Sequence, residues 1–283
     1  METISTLQEY SDERGNTIEV HGEISDFPVK IQFRGSNNRL VVQDTSMLRR
    51  LHVFFLGDNS VATVGKFTRN TNASWTFTLG YDSEIRIGTN VSTASTCSVF
   101  AAEGAQVRIG NDCMIAADCR IRADDAHPIY DIESGARLNP SQNIVLREHV
   151  WLAYGVMVMP GVTIGQGTVV GTLSVVTKSL PNNVVAVGTP ARVVRQNVAW
   201  ERTDIKKTRI ELDEDGLPPR REKYWNPTVD KNGRAAKYAR SSNSALDRRV
   251  GELEQDLDRA LRALGKLESL WPIRAWVRLR KRS

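Results

Sequence analysis

The chain has 283 residues, 40% of them hydrophobic, and a formal net charge of +5, enough for one or two domains with a sizeable core. No apolar run approaches the roughly 18 residues of a transmembrane helix. The start, METISTLQEYSDERGNTIEV, lacks the basic end and apolar centre of a secretory signal, so a cytoplasmic protein is expected. The segment from Arg240 onward holds 11 of the 38 basic residues and 6 of the 33 acidic ones. Its surplus equals the whole-chain charge, so the body is neutral and a nucleic-acid-binding body is disfavoured.

Residues 1–37 read as a lead-in. From 38 onward short aliphatic segments recur: Leu40-Val41-Val42, Ala62-Thr63-Val64-Gly65, Ile85-Arg86-Ile87-Gly88 and Val107-Arg108-Ile109-Gly110. Their last apolar residues stand 22 or 23 apart. Ile109, Ile115 and Ile121 then tighten the step to six. After an interruption, Leu146, Leu152, Val158, Ile164, Val170 and Val176 keep that step without a slip. A helix repeats near 3.6 residues and a strand at 2. A step of six fits a short strand plus a corner, and three such units close a triangular coil. Each coil buries its apolar face only against its neighbours. The expected fold is therefore all-β, a parallel β-helix over 38–195 whose early coils have longer corners. Small or β-branched residues follow four places after the aliphatic ones: Val150, Val156, Val162, Thr168 and Ser174. Cys113 and Cys119 occupy the same place after Ile109 and Ile115, which makes them reduced core cysteines.

The interruption runs from Arg122 to Asn143, RADDAHPIYDIESGARLNPSQN. A break of that kind in a regular solenoid is an extruded loop, and such loops often carry function. The beat fades at Pro181 and ends near Pro190. Residues 196–245 are polar and read as a linker that lies along the solenoid through Trp200 and Trp225. From Leu246 the step alternates four and three through Val250, Leu253, Leu257, Ala260, Leu264 and Leu267, a heptad stripe. It predicts an α-helical coiled coil over 246–271, ended by Pro272. The tail 272–283 joins Ile273, Trp276, Val277 and Leu279 to basic residues. It reads either as a peripheral contact with an anionic membrane or as a solvated end.

The loop carries Asp124-Asp125-Ala126-His127-Pro128. Histidine is the side chain best suited to accept a proton near neutral pH, which makes His127 the candidate general base. Asp125 or a neighbouring carboxylate is placed to orient the ring.

Asp125-Ala126-His127, Val150-Trp151-Leu152-Ala153, MPGVTIGQGTVVG, VVTK and VVAVGTPARVV together resemble the hexapeptide-repeat acyltransferases. The likeness covers residues 105–196 at motif level. The interval of 24 residues from His127 to Trp151 also resembles that of the bacterial capsule O-acetyltransferases that modify polysialic acid and related glycans. The resemblance implies a left-handed parallel β-helix, a homotrimer, and acetyl-CoA in a groove between subunits. It implies direct transfer with His127 as base and Trp151 lining the thioester site. The backbone at Ala153 and Tyr154 would meet the pantetheine, and Thr172 would stand on the cofactor wall. Thr177 and Lys178 would match the family's T-K pair, and Arg192 and Arg195 its cations near the CoA phosphates. Arg147, Ala153 and Leu173 replace small glycine-like residues of the family pattern, and Tyr154 is large for the wall.

The expected function is therefore an acetyl-CoA-dependent O-acetyltransferase acting on a hydroxyl of a bacterial surface polysaccharide or a sugar precursor. N-acetylation of an amino nucleotide sugar and a non-enzymatic β-helix scaffold are the alternatives. A zinc hydratase of the γ-carbonic anhydrase type needs histidines at short spacing, and no H-x4-H pair occurs, so no metal is expected.

Overall fold

The computed structural model describes residues 3–68, 71–212 and 223–229. The described chain is an all-β, left-handed-type solenoid of about seven turns with no helix. Three parallel sheets form the faces of a prism. Face one stacks Val29–Phe33, Leu48–Phe55, Ala73–Leu79, Cys97–Ala101, Arg120–Arg122, Met157–Val158 and Val175–Val176. Face two stacks Ser92–Thr93, Met114–Ile115, Trp151–Leu152, Val169–Val170 and Val184–Gly188. Face three runs from Thr17–Val20 through Arg39–Val42, Val61–Val64, Glu84–Ile87, Gln106–Ile109 and Ile144–Leu146 to Thr163–Ile164. Antiparallel strands finish both ends, Thr3–Ile4 and Tyr10–Ser11 at the first and Ala191–Gln196 at the last.

The aliphatic beat is the register of these ladders. Leu146 pairs with Ile164, Leu152 with Val170 and Val158 with Val176, one coil of 18 residues apart. Val42, Val64, Ile87 and Ile109 also pair in succession, so the longer early coils belong to the same prism. The ladders continue before residue 38, where Val20 pairs with Val42 and Ile31 with Val53. The segment read as a lead-in thus adds strands to faces one and three.

Each paired aliphatic points inward and is buried, and so are the corner residues Val150, Val156, Val162, Thr168 and Ser174. Cys97, Cys113 and Cys119 are buried free thiols. Neighbouring coils approach so closely at the corners that a β-carbon on Gly165 would collide with the backbone of Asn182. Several corner positions take the left-handed conformation that favours Gly, Asn and Asp. Leu173 (φ 56°) holds it against the preference of its side chain.

The expected coiled coil over 246–271 and the basic tail lie outside the described residues. The polar stretch after the solenoid is described over 197–212 and 223–229, and it makes contacts with the coils through Trp200 and Tyr224. Trp200 is buried, its Nε1 donating to His149 O at 2.9 Å. Asn183 Nδ2 donates to Tyr224 O at 2.7 Å.

Candidate active site

The loop between Arg122 and Ile144 leaves the edge between faces one and three. It doubles back on itself: Tyr130 and Arg137 form an antiparallel bridge, and Leu138 N donates to Ile129 O at 2.8 Å. Asp131 closes the tip by accepting the amide and hydroxyl of Ser134, each at 2.7 Å. Arg137 ties the loop to the preceding coil through a two-pronged ion pair with Glu103, and Ser141 Oγ adds 2.8 Å to the same carboxylate. The Arg137 bonds, helped by Ser141, hold the Glu103 carboxyl down at about 2.

Asn139 organises the base of the loop. Its Nδ2 donates to His127 O at 2.9 Å and to Asp125 Oδ2 at 3.1 Å, while its Oδ1 accepts Ile129 N at 2.6 Å. His127 N donates to Asp125 O at 2.8 Å across Ala126, whose φ is +63°. That tight left-handed γ-turn is the strained form, and it turns the exposed His127 ring outward. Among the described residues of one chain, no side chain hydrogen-bonds the ring. The Asp125 carboxylate meets the Asn139 amide, and Asp124 Oδ1 accepts Ala126 N at 3.0 Å. The two aspartates thus shape the turn that carries His127.

The other expected residues fall on different parts of the prism. Thr177 and Lys178 follow the Val175–Val176 strand along the same edge as the loop. Ala153, Tyr154, Thr172 and Leu173 sit on the edge between faces two and one. Tyr154 is about half exposed, and Asp118 beside it pushes its phenol above the ordinary value. Trp151 is half-buried on face two between Met114 and Val169, 5.7 Å from the Trp200 ring. It floors a groove of about 940 Å³ with Val169 and Val185, walled by Arg195, Trp200 and Trp225. Arg192 stands opposite Val187 and Arg195 opposite Val185 in the terminal hairpin. Lys178, Arg192 and Arg195 are exposed and form no ion pair among the described residues. Within one chain His127 and Trp151 share no hydrogen bond or ring contact.

A clamp on face two escaped the sequence reading. The His149 ring lies between Trp200 (centroids 3.9 Å, planes 8° apart) and Tyr224 (4.0 Å, 5°). Each of its nitrogens faces an acceptor, Nδ1 at 2.8 Å from Asp112 Oδ2 and Nε2 at 3.0 Å from Trp200 O. Arg202 completes the network, giving Nε to Asp112 Oδ1 at 2.8 Å and Nη1 to Ser92 Oγ at 2.8 Å. Burial works to raise the Asp112 carboxyl. His149 and Arg202 outweigh it and leave that carboxyl below its ordinary value. The signal was present as a histidine, a tryptophan and a tyrosine, but the clamp's pairs lie 37 to 110 residues apart in sequence. No local pattern links them.

The polysialic acid O-acetyltransferase of Neisseria meningitidis is 31% identical over 148 residues, covering 45% of this chain and 68% of that protein. The chain belongs to the hexapeptide-repeat acyltransferases. Within that family, the polysialic acid O-acetyltransferase of Escherichia coli O1:K1 / APEC is 40% identical over 98 residues. That match spans 35% of this chain and only 32% of the E. coli protein. The crystal structure of the polySia specific acetyltransferase NeuO superposes with a TM-score of 0.62 at 33% identity, covering 69% of this chain and 90% of that one. No family model matches the chain. Among the described residues, no cluster of His, Cys, Asp and Glu is placed to hold a metal ion.

Proposed function

We propose that this chain is an acetyl-CoA-dependent O-acetyltransferase that modifies a hydroxyl of a bacterial cell-surface polysaccharide, with His127 as general base. The observation that carries the reading is the single long interruption of the coils. It presents an exposed histidine, on a strained turn, in a chain that is 31% identical to a polysialic acid O-acetyltransferase over 148 residues.

The residues suit a CoA ester. Its phosphates make one end polyanionic, and Lys178, Arg192 and Arg195 are exposed cations not engaged in ion pairs within the described chain. Acetyl-CoA supplies an acyl carbon activated by a thiolate leaving group. His127 takes the proton from the acceptor hydroxyl as its oxygen attacks that carbon. The new C–O bond forms, the C–S bond breaks, and the proton is available to the departing thiolate. The oxyanion formed on the way needs a donor; the Trp151 indole or a coil backbone N–H fills that role.

The positions of these groups favour a homotrimer. His127 and Lys178 lie along one edge of the prism, and Tyr154 and Thr172 along another. Packing three prisms around an axis brings one chain's loop against its neighbour's opposite edge, which completes a site that a single chain leaves divided. A cytoplasmic location fits this reading, because acetyl-CoA is made there.

The test is acetyl-CoA turnover against extracted capsule, lipopolysaccharide and exopolysaccharide glycans, with products mapped by NMR. An acetyl ester on a sugar hydroxyl with matching CoA release is the expected result. An amide on an amino sugar, or no CoA release with any acceptor, overturns the reading.

A further inference from the structure

The outer surface of face one over the early coils carries basic, hydroxyl and aromatic side chains. Its five strands from Val29–Phe33 to Arg120–Arg122 read VKIQF, LRRLHVFF, ASWTFTL, CSVFA and RIR, without one aspartate or glutamate. Register aligns their outward residues in two columns. In one, Lys30, His52, Thr76, Ser98 and Arg120 succeed one another. In the other, Phe54, Thr78, Phe100 and Arg122 do the same. At about 4.8 Å per strand, the columns extend roughly 20 Å.

Of these cations, Arg122 has an ion partner among the described residues, Asp124 Oδ1 at 3.5 Å. Lys30, Arg50 and Arg120 form no ion pair among the described residues. Lys30 Nζ instead lies 5.5 Å from the Phe54 ring centre, and the Arg122 guanidinium 4.5 Å from that of Phe100. Burial first, then Arg50 and Lys30, hold the His52 ring below the ordinary histidine range. Face three at the same level is the contrast. Its glutamates are matched by its arginines, Glu19 with Arg39, and Glu84 with both Arg86 and Arg108. Acids flank face one at its corners, Glu23 and Asp26 exposed on the stretch that leads into it and three others on the side toward face three. Asp58 accepts Ser36 N, Asp82 accepts the Asn59 amide, and Glu103 holds Arg137.

The columns end at the candidate base. Arg122 is the last residue of its strand, its Nε donates to Asp124 O at 3.3 Å, and His127 follows within the same turn. We propose that this face is a docking track for an anionic polysaccharide, which lies across the cation and hydroxyl columns and is led by Arg122 to the His127 loop. This rests on the acetyltransferase reading and extends it from a catalytic residue to an acceptor class. The occupant fits the chemistry. Fixed cations spaced along a flat strip suit a carboxylated chain, and the serine and threonine rungs suit sugar hydroxyls. Both phenylalanine rings already carry a cation, so neither is a free platform for a nucleobase.

The test uses the full chain and a Lys30→Glu/Arg50→Glu variant, with Lys30→Arg/Arg50→Lys as control. Fluorescent polysialic acid, neutral dextran, single-stranded DNA and phosphatidylglycerol vesicles are the probes, without acetyl-CoA, so that binding is read apart from catalysis. Wild type is expected to bind polysialic acid but not dextran, the charge reversal to weaken binding roughly tenfold at low salt, and the control to retain it. In turnover, the same variant raises KM for the polymer and leaves KM for acetyl-CoA unchanged. Equal polymer affinity of wild type and charge reversal overturns the track and leaves the acetyltransferase reading standing. DNA or vesicles bound as tightly as polysialic acid overturn the glycan assignment. A changed oligomeric mass in the variant overturns it too, by making the face a contact between copies.

Discussion

The early coils turn every 22 or 23 residues and the late coils every 18, as the pairings of Val42 with Val64, Val64 with Ile87, and Leu146 with Ile164 show. The difference decides what each part presents. A late strand of two residues, such as Met157–Val158, turns one side chain inward and one outward, so the corners dominate its surface. An early strand such as Leu48–Phe55 or Ala73–Leu79 lays out several outward side chains and makes a broad face. Narrow coils give edges, the proposed seat of the slender thioester, and wide coils give a face, the proposed seat of the polymer. The loop 123–143 stands at the junction, and His127 is its exposed chemistry.

Removing that chemistry has the largest expected effect. His127→Ala is expected to lower kcat by about 10² to 10⁴, the usual contribution of a positioned general base. Its melting temperature stays unchanged, because the ring is exposed and packs on nothing described. Next comes the clamp. His149→Ala removes the filling of a buried stack and leaves Asp112 with a missing partner, at a cost on the order of 3 kcal/mol. Urea unfolding measures it, and a loss below about 0.5 kcal/mol, the range of an ordinary surface substitution, shows that the strap does not brace the late coils.

A smaller effect is confined to the loop. The Glu103 carboxyl sits at about 2 in the folded chain against an ordinary 4.5. Its pairing with Arg137 therefore contributes fully above pH 4.5 and is lost as pH falls through 2. Glu103→Gln should quicken amide exchange at Leu138 and Ser141 at neutral pH without moving global stability. Unchanged exchange there shows that the loop is anchored otherwise. The smallest effect is none. Burial pushes the Cys113 thiol to about 12 and the Cys119 thiol to about 11, so iodoacetamide at pH 8 should leave turnover intact. Inactivation by the reagent marks a cysteine that opens during the reaction.

Much of this was legible in the chain. The step of six became a ladder register without a slip, and even the looser spacing of Val42, Val64, Ile87 and Ile109 did. His127 stood out because regular coils make an interruption visible. The strands before residue 38 did not, since corners of uneven length hide the phase of Ile18 and Ile31. Nor did the left-handed backbone at Ala126, His149 and Leu173, where no glycine or asparagine marks the turn. The His149 clamp and the Glu103–Arg137 anchor join residues 34 or more apart, beyond any local pattern.

The division between wide and narrow coils is tested most directly by two saturation curves on two double variants. Lys30→Glu/Arg50→Glu alters the early face, and Lys178→Ala/Arg192→Ala alters the late edge and hairpin. The first should raise KM for the anionic polysaccharide alone, and the second KM for acetyl-CoA alone. If the early variant moves the acetyl-CoA curve, or the late variant only the polymer curve, the two ends of the prism do not divide acceptor from donor.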